Sequence, residues 1–321
     1  MLGILLWLLP LEFAVLTIVT LLFLTALAFA IFWHVAHAHR KPSDRVPHEG
    51  DDTGLEKFSE KMKKDRDWFR AQQPETLTVY SADGTLLRGH YLPAKNARGT
   101  AILLHGFRSE PDGDFGGAAA CFQERGFHVL LPIQRAHAGS EGNFIGFGLL
   151  ERYDIQAWAN AIAEREGPDH PIRLYGVSMG ATTVMMASAL TLPDSVKALI
   201  ADCGYTSPKE MFRAVMQRDF TLPEAPLLSS ISAISHRLAG YRLSEYSTLD
   251  AMRVNTRPIL FIHGRQDDLV PPEMSIENFS ACRAPKRLLM VDARHAGSYF
   301  EEPQLYLHAI DEFLTNCAGI A

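Results

Sequence analysis

The residues Gly176-Val177-Ser178-Met179-Gly180 decide the fold, because they join a predicted strand directly to a predicted helix. The segment 172–175 is predicted to be a strand, and 179–190 is predicted to be a helix. A turn this tight raises Ser178 to the amino terminus of the helix, where the helix dipole favours developing negative charge. The glycines at both ends of the motif remove side chains that would clash. The pattern predicts a nucleophilic serine; the alternative is a serine that only caps the helix.

Strand and helix patterns alternate on both sides of this motif. Further strands are predicted at 76–80, 86–92, 100–104, 128–131, 196–201, 259–262 and 287–291, and further helices at 115–125, 149–166 and 303–315. The first two strands flank Asp83-Gly84, a hairpin signal, so they pair antiparallel. The remaining alternation predicts an α/β fold with a mostly parallel, doubly wound sheet.

A serine hydroxyl is a weak nucleophile near neutral pH, so it needs a base, and the base needs an acid. In a sheet of this kind both follow the serine along the chain, at strand ends. The stretch His263-Gly264-Arg265-Gln266-Asp267-Asp268 comes after a predicted strand, and spacing alone does not separate its two aspartates. A carboxylate there would hold the imidazole in one tautomer and stabilise its charged form.

The expected base is His295, which follows the last predicted strand. It would take the proton of Ser178 and pass it to the leaving group. Three other histidines follow the serine. His263 ends a strand before a turn glycine and is expected to be structural, whereas His308 lies within the last helix and His236 within an insertion.

Acyl chemistry also needs two backbone N–H donors aimed at the oxygen that becomes negative. One is expected from the residue after the nucleophile, Met179, and the other from the loop His105-Gly106-Phe107 that follows the strand at 100–104. Phe107 is the residue expected to supply the second N–H group. This chemistry uses no metal and no cofactor, so none is predicted.

The amino-terminal segment is strongly apolar, and from Phe13 to Trp33 no residue is charged. A helix needs about 20 such residues to cross a bilayer, and a cleaved signal peptide would have a basic start and a shorter apolar run. A single transmembrane helix is therefore predicted. Arg40, Lys41 and Arg45 follow it, and because basic flanks stay cytoplasmic the rest of the chain is placed in the cytoplasm. Removal of residues 1–40 is expected to leave a soluble, active protein.

The chain of 321 residues is long enough for one large core. Residues 1–40 are assigned to the anchor and its juxtamembrane segment, 41–74 to a linker and a surface helix, and 75–321 to the α/β domain. Residues 205–256 lack a clear strand pattern and are predicted to form a small helical lid. The lid contains the apolar residues Phe212, Met216, Phe220, Leu222, Leu227 and Leu228. They either bind an acyl or aromatic group of the substrate or simply pack the lid onto the domain.

Composition excludes several classes of protein. The net charge is −6 and charged residues make up 21%, so no basic balance points to nucleic acid as a partner. The four cysteines, Cys121, Cys203, Cys282 and Cys317, contain no C-x-x-C pair. Neither a zinc site nor a disulfide framework is indicated, and isolated thiols are expected.

Together these motifs resemble the α/β-hydrolase superfamily, and more narrowly the prolyl-oligopeptidase/serine-aminopeptidase-like hydrolases and the membrane-anchored Bem46-like proteins. The likeness runs from about Glu75 to the carboxyl terminus. It is carried by Leu104-His105-Gly106-Phe107, the motif at 176–180, His263-Gly264-x-x-Asp267-x-x-Val270-Pro271 and His295-Ala296-x-Ser298-Tyr299. The resemblance implies Asp267 rather than Asp268 as the acid, His295 as the base, and Phe107 and Met179 as oxyanion donors.

The loop after the strand at 128–131 departs from these relatives, which often read Pro-Asp-x-Arg-x-His-Gly-x-Ser there. Ile133 stands for the aspartate and Ala138 for the glycine, whereas Arg135, His137 and Ser140 are retained. Because this loop borders the cleft, the departure affects the expected shape of the substrate site and leaves the triad unaffected.

The sequence thus predicts a serine hydrolase that cleaves a carboxylic ester or related acyl bond through an acyl-serine intermediate. Its expected substrate is a small or lipid-like acyl compound met at the membrane. A peptidase or amidase with the same triad is the second interpretation. The third is a non-catalytic, membrane-tethered binding protein on a hydrolase scaffold, against which the ordered triad argues.

Overall fold

Eight strands form one mixed sheet at the centre of the molecule. The computed structural model describes residues 2–38, 54–219 and 224–318, and side chains at 12–38, 54–218 and 225–316. The strands are β1 (Glu75–Tyr80), β2 (Leu86–Leu92), β3 (Thr100–Leu104), β4 (His128–Ile133), β5 (Ile172–Val177), β6 (Val196–Asp202), β7 (Ile259–Gly264) and β8 (Lys286–Val291). Their order is β1-β2-β4-β3-β5-β6-β7-β8, with β2 antiparallel to both neighbours and all other pairs parallel. The predicted α/β fold with a mostly parallel sheet is confirmed.

Helices cover both faces of this sheet. They are α1 (Leu2–Ala36), α2 (Ser59–Ala71), α3 (Pro111–Glu124), α4 (Glu151–Glu166), α5 (Met179–Ala187), α6 (Pro208–Asp219), α7 (Glu224–Ala239), α8 (Thr248–Val254), α9 (Glu273–Ala281), α10 (Ser298–Glu301) and α11 (Pro303–Ala318). One apolar cluster joins the sheet to α3 and α11, and a second joins its other face to α4, α5 and α8. A third cluster lies off the sheet, between α1, α6, α7 and the loop before α4.

Helix α3 begins at Pro111, before its predicted start at residue 115. Proline at the first helical position suits the start, but the glycines that follow made the sequence pattern weak. The structure shows why residue 116 is a glycine: a Cβ there would lie 2.6 Å from the backbone carbonyl of Asp65 in α2. Helix α2, the predicted surface helix, therefore packs directly on α3 and buries Met62 and Phe69.

Helix α1 is continuous and includes the predicted transmembrane segment. Glu12–Ala36 is long and apolar enough to cross a membrane, with a mean hydropathy of 2.7, although a signal sequence meets the same test of length and composition. The basic residues from which the cytoplasmic orientation was predicted, Arg40, Lys41 and Arg45, lie outside the described residues, as does most of the predicted linker. The orientation and the boundaries of the linker stay predictions.

The carboxyl-terminal part of α1 is not a simple tether. Ala28, Phe32 and Ala36 are fully buried, and they belong to the same apolar cluster as α6 and α7. Removing residues 1–40 would uncover this cluster to water. The exposed apolar cluster argues against a soluble product, and the expectation that the truncation leaves a soluble, active protein stays untested.

Candidate active site

Ser178 occupies the sharp turn between β5 and α5. Its backbone has φ 54° and ψ −117°, a conformation that costs energy for any residue with a side chain. A Cβ on Gly176 would lie 2.2 Å from the carbonyl group of Gly180, and a Cβ on Gly180 would lie 2.1 Å from the carbonyl oxygen of Leu104. No side chain fits at either position. This is the steric reason for the two glycines that the sequence motif suggested.

The structure brings the three predicted triad residues into one hydrogen-bonded row. The hydroxyl oxygen of Ser178 lies 3.0 Å from Nε2 of His295, and Nδ1 of His295 lies 2.7 Å from Oδ2 of Asp267. The serine follows β5, the aspartate β7 and the histidine β8, so all three lie at the carboxyl edge of the parallel strands. In this arrangement the hydroxyl can donate to one ring nitrogen while the other donates to the carboxylate.

The Asp267 carboxylate is held in place by its own loop. Its side chain is fully buried, and Oδ1 accepts hydrogen bonds from the N–H groups of Leu269 (3.0 Å) and Val270 (2.8 Å). His263 is also fully buried, with Nε2 3.1 Å from Oδ2 of Asp267 and Nδ1 2.6 Å from the Ser275 hydroxyl. His263 thus has the structural position expected from sequence, and it orients the acid.

The alternative residues lie elsewhere. The side chain of Asp268 is 58% exposed and forms an ion pair with Arg294 at 2.7 Å. His308 has a side chain that is 69% exposed, and His236 is exposed on α7. Spacing left the two aspartates equivalent, but geometry places only Asp267 against His295.

Charges around the imidazole favour its protonated form. Burial opposes protonation of His295, but the carboxylates around it, Asp267 above all, outweigh burial and raise the pKa of His295 above its usual value of 6.5. Burial also disfavours charge on Asp267, yet its contacts with His295 and His263 hold the pKa of this carboxyl well below its usual range. Asp202, which ends β6, also raises the pKa of His295. Burial raises the pKa of Asp202 itself to about 6, although the Tyr306 hydroxyl donates to it at 2.8 Å.

We expect kcat/KM for ester hydrolysis to rise with pH through a midpoint above 6.5, because only the neutral imidazole of His295 can accept the proton of Ser178. In Asp202→Asn the midpoint should move to lower pH. This variant keeps an oxygen for the Tyr306 hydroxyl but loses a negative charge that favours the imidazolium. Initial rates on an ester without titrating groups give both profiles. A midpoint that is unchanged or higher in Asp202→Asn would contradict the conclusion that the Asp202 charge raises the pKa of His295.

The two backbone N–H groups predicted to bind the substrate oxygen belong to segments next to Ser178. Gly106 in the loop after β3 lies close to Ser178, since a Cβ on this glycine would be 3.6 Å from the serine Cβ. Phe107 follows in that loop, and Met179 is the first residue of α5. Neither the Phe107 nor the Met179 N–H group has a hydrogen-bond acceptor among the residues that the structure describes. Their role as donors to a substrate oxygen stays a prediction.

The loop after β3 is held by histidines of two loops. Nε2 of the fully buried His105 accepts from the N–H of Gln134 at 3.1 Å, and its Nδ1 donates to the carbonyl of Gly106 at 2.8 Å. Its ring meets that of His137 edge-on at 4.7 Å, and His137 accepts the N–H of Arg108 at 3.1 Å. Burial, and then His137, hold the pKa of His105 well below 6.5. His105 is therefore a neutral positioning residue for the oxyanion loop, a role that the sequence analysis missed.

Asp114, in the first turn of α3, holds the same loop from another side. Its Oδ2 accepts the N–H of Gly106 at 2.7 Å, and its Oδ1 accepts the Ser109 hydroxyl. The sequence analysis did not single out this residue, because α3 was expected to begin after it. The sequence contained one signal for this role, an acidic residue shortly after the His105-Gly106 dipeptide.

Arg135, retained in the loop that departs from the family pattern, anchors that loop to the domain. Its side chain is 5% exposed, and its Nε and Nη2 donate to the two carboxylate oxygens of Asp154 at 2.8 and 2.6 Å. Nη1 donates to Asp83 in the β1–β2 hairpin at 2.8 Å. Ile133, which stands for the family aspartate, is buried. The loop thus keeps its ionic anchor although its sequence has changed.

We expect Arg135→Met to destabilise the fold by about 3–5 kcal/mol, because it leaves the carboxylate of Asp154 buried without its cationic partner. For a domain of this size the melting temperature should fall by roughly 10 °C. The matched control is Arg253→Met, which removes a surface pair with Asp250 in which both side chains are about half exposed. The melting temperatures of both variants are measured by thermal unfolding. Equal melting temperatures would contradict a structural role for Arg135.

An apolar cavity of about 590 Å³ leads away from Ser178. Its volume lies within the range of about 300–1,000 Å³ that is usual for ligand sites. Of the predicted lid residues, Phe212, Met216 and Leu227 line it, Leu228 is buried without lining it, and Phe220 and Leu222 lie outside the described residues. Phe107 and Phe147 line the wall nearer the sheet. Helix α1 also lines the cavity, which the sequence analysis did not foresee.

Within the part of the chain that the structure describes, two side-chain clusters have metal-ligand chemistry. One contains Cys203, Asp267 and His295. In this cluster, Nδ1 of His295 and Oδ2 of Asp267 are already hydrogen-bonded to each other. The other contains His128, Glu166 and His170, away from Ser178. In it, Nδ1 of His128 accepts the N–H of Ala94, and Glu166 accepts the hydroxyl of Tyr91. Of the cysteines, Cys121, Cys203 and Cys282 are free thiols. The absence of a metal requirement stays a prediction.

Comparisons with known proteins agree with this architecture. A family model described as the α/β-hydrolase fold matches residues 102–226. The protein YqkD of Bacillus subtilis is 26% identical over 249 residues, which cover 77% of this chain and 81% of that protein. YitV of the same organism, whose name proposes an esterase, is 29% identical over 187 residues, covering 53% and 69%. The structure of the Pyrococcus furiosus esterase PF2001 superposes with a TM-score of 0.66 at 20% identity, covering 88% of this chain and 98% of that one.

The chain has the α/β-hydrolase fold. The sheet order, the matched segment and the structural likeness agree on this fold. The narrower likeness to serine-aminopeptidase-like and membrane-anchored Bem46-like proteins stays a prediction.

Proposed function

We propose that this protein is a membrane-anchored serine hydrolase that cleaves carboxylic esters through an acyl-Ser178 intermediate. The observation that carries the proposal is the row of hydrogen bonds from Ser178 through His295 to Asp267, at 3.0 and 2.7 Å. A serine that only caps a helix has no need of an imidazole and a buried carboxylate aligned behind it. The strained backbone at the serine is also typical of a nucleophile in this turn.

The proposed reaction has two halves. The hydroxyl oxygen of Ser178 attacks the ester carbon while its proton moves to Nε2 of His295, and the carbonyl oxygen becomes an anion that accepts from the N–H groups of Phe107 and Met179. The carbon–oxygen bond of the ester then breaks, and the departing alcohol takes the proton from His295. In the second half, His295 removes a proton from water, the hydroxide attacks the acyl-serine, and the carboxylic acid leaves as Ser178 regains its proton.

The cavity favours an ester over the substrate of an aminopeptidase. An aminopeptidase must recognise a free ammonium group, which needs a carboxylate partner when it leaves water. Among the residues that the structure describes, no Asp or Glu lines the cavity beside Ser178. An amidase acting on an uncharged acyl amide remains the alternative, and initial rates on p-nitrophenyl esters and on acyl p-nitroanilides with the same acyl groups separate the two.

Covalent labelling tests the proposed nucleophile. The full-length protein is treated with a fluorophosphonate probe, digested and analysed by mass spectrometry. We expect one phosphonate adduct, on the peptide that contains Ser178, and parallel loss of hydrolysis of a short ester. Absence of an adduct, or an adduct on another serine with activity retained, would overturn the proposal and favour a binding protein on a hydrolase scaffold.

The membrane part of the proposal rests on the apolar segment Glu12–Ala36 and on the exposure of every side chain at residues 12–23. Exposed aliphatic and aromatic side chains in such number are unfavourable in water but not in lipid. After alkaline extraction of membranes, the full-length protein should remain in the pellet. Recovery in the supernatant would contradict an inserted helix.

A further inference from the structure

Helix α1 consists of two halves with different surroundings. Every side chain at residues 12–23 is exposed, and Phe13 is 73% exposed. From residue 24 onward one face is covered, and Ala28, Phe32 and Ala36 are fully buried. These three residues are spaced four apart, so they form one stripe along the helix. We call residues 24–36 the docked half.

The docked half is tied to the elements that shape the active site. Phe32 stacks on Phe144 of the loop before α4, with ring centroids 5.5 Å apart. The guanidinium of Arg108 donates to the carbonyl of His34, and Arg108 directly follows Phe107 in the proposed oxyanion loop. The same half packs along α7 of the lid. The position of α1 is therefore coupled to both sides of the cleft.

The docked half also supplies one wall of the cavity beside Ser178. Five of its side chains line this cavity: Leu27, Ala30, Ile31, His34 and Val35. Ala30 and His34 are exposed as well, so the cavity opens to the outside along α1. This exposed edge of the cavity therefore lies on the helix that also carries the apolar segment.

We infer that α1 is both the membrane anchor and the acyl-binding wall, and that the substrate is a long-chain acyl ester that enters from the bilayer along this helix. The inference rests on the proposed hydrolase function and adds the substrate class and the residues that select it. A hydrocarbon chain gains free energy with each methylene it buries, and an apolar cavity of about 590 Å³ accommodates many of them. Such an ester resides in the bilayer. Residues 12–23, the exposed half of the same helix, enter that bilayer in this proposal.

Residue 30 offers a direct test in the full chain. Ala30→Trp places a large side chain at the exposed mouth of the cavity without replacing a buried residue. The matched control is Leu22→Trp, on the same helix at a side chain that is 65% exposed and does not line the cavity. Both variants are purified in detergent, and kcat/KM is measured for p-nitrophenyl acetate and p-nitrophenyl laurate.

In Ala30→Trp the ratio of kcat/KM for laurate to that for acetate should fall at least about tenfold, the loss expected when two methylenes are displaced. In Leu22→Trp the ratio should equal that of the unmodified protein. An unchanged ratio in Ala30→Trp, or an equal loss on both esters, would overturn the role of α1. If the unmodified protein hydrolyses neither ester and takes no fluorophosphonate, the proposed function itself has failed; activity and labelling with an unchanged ratio refute the inference alone.

Entry from the bilayer is tested by the location of the substrate. A long-chain fluorescent ester is incorporated into phosphatidylcholine vesicles that either contain the full-length protein or are mixed with separate vesicles that contain it. Most of the turnover should be lost when ester and protein are in separate vesicles. Equal rates in the two arrangements would show that the ester arrives through water, and would refute the lateral route.

Discussion

Replacing Ser178 by alanine is expected to lower kcat for ester hydrolysis by about 10⁶-fold, because it removes the nucleophile on which both halves of the proposed reaction depend. The small remaining rate would come from the oxyanion donors and from substrate binding. Alanine lacks only the hydroxyl group, and the backbone conformation at this position is set by the flanking glycines. Steady-state kinetics with a short p-nitrophenyl ester measure the effect.

The control for this change is Ser280→Ala, at an exposed serine on α9. Its kinetic constants should match those of the unmodified protein. If Ser178→Ala retained a tenth or more of the original kcat, the acyl-serine mechanism would be wrong, and the row of hydrogen bonds at Ser178 would have to serve another purpose.

Replacing Asp267 by asparagine is expected to lower kcat by about 10⁴-fold. An amide at this position is uncharged, so it no longer stabilises the imidazolium of His295. It also presents an N–H group that can turn the imidazole into the wrong tautomer. The loss should be smaller than in Ser178→Ala, because the nucleophile and the base are still present. The same kinetic assay on a short ester reports it.

Asp268→Asn is the matched control, because it makes the same chemical change at the next residue. Asp268 forms its ion pair with Arg294 near the surface and does not contact His295. A change of less than a few fold is therefore expected. A larger loss in Asp268→Asn than in Asp267→Asn would show that the acid had been assigned to the wrong residue.

The sequence predicted the sheet and the chemistry at its edge because both have strong local signals. Buried parallel strands are often short apolar runs, as at 100–104, and the strands predicted at 100–104 and 172–175 begin where β3 and β5 begin. The turn at 176–180 has almost no freedom, since its glycines cannot carry side chains. These signals depend on neighbours in the chain, which is why one sequence was sufficient to predict them.

Contacts between distant segments were not predictable in the same way. The choice between Asp267 and Asp268 depends on which one His295 reaches, and the spacing contains no information on that. The start of α3 was missed because its glycines weaken a helix in isolation, whereas their purpose is the close approach of α2. The docking of α1 was missed for a similar reason: an apolar segment long enough for a membrane gives no sign that one of its faces also packs on protein.

The contact between Gly180 and Leu104 determines how the two proposed oxyanion donors are spaced. Because a Cβ at Gly180 would lie 2.1 Å from the carbonyl oxygen of Leu104, the start of α5 touches the end of β3 through backbone atoms alone. Met179 immediately precedes this point of contact, and Phe107 follows shortly after it. The gap between their amides is therefore set by main-chain geometry, so a relative can exchange both side chains, and with them its preference for substrate, without moving the groups that would bind the anion.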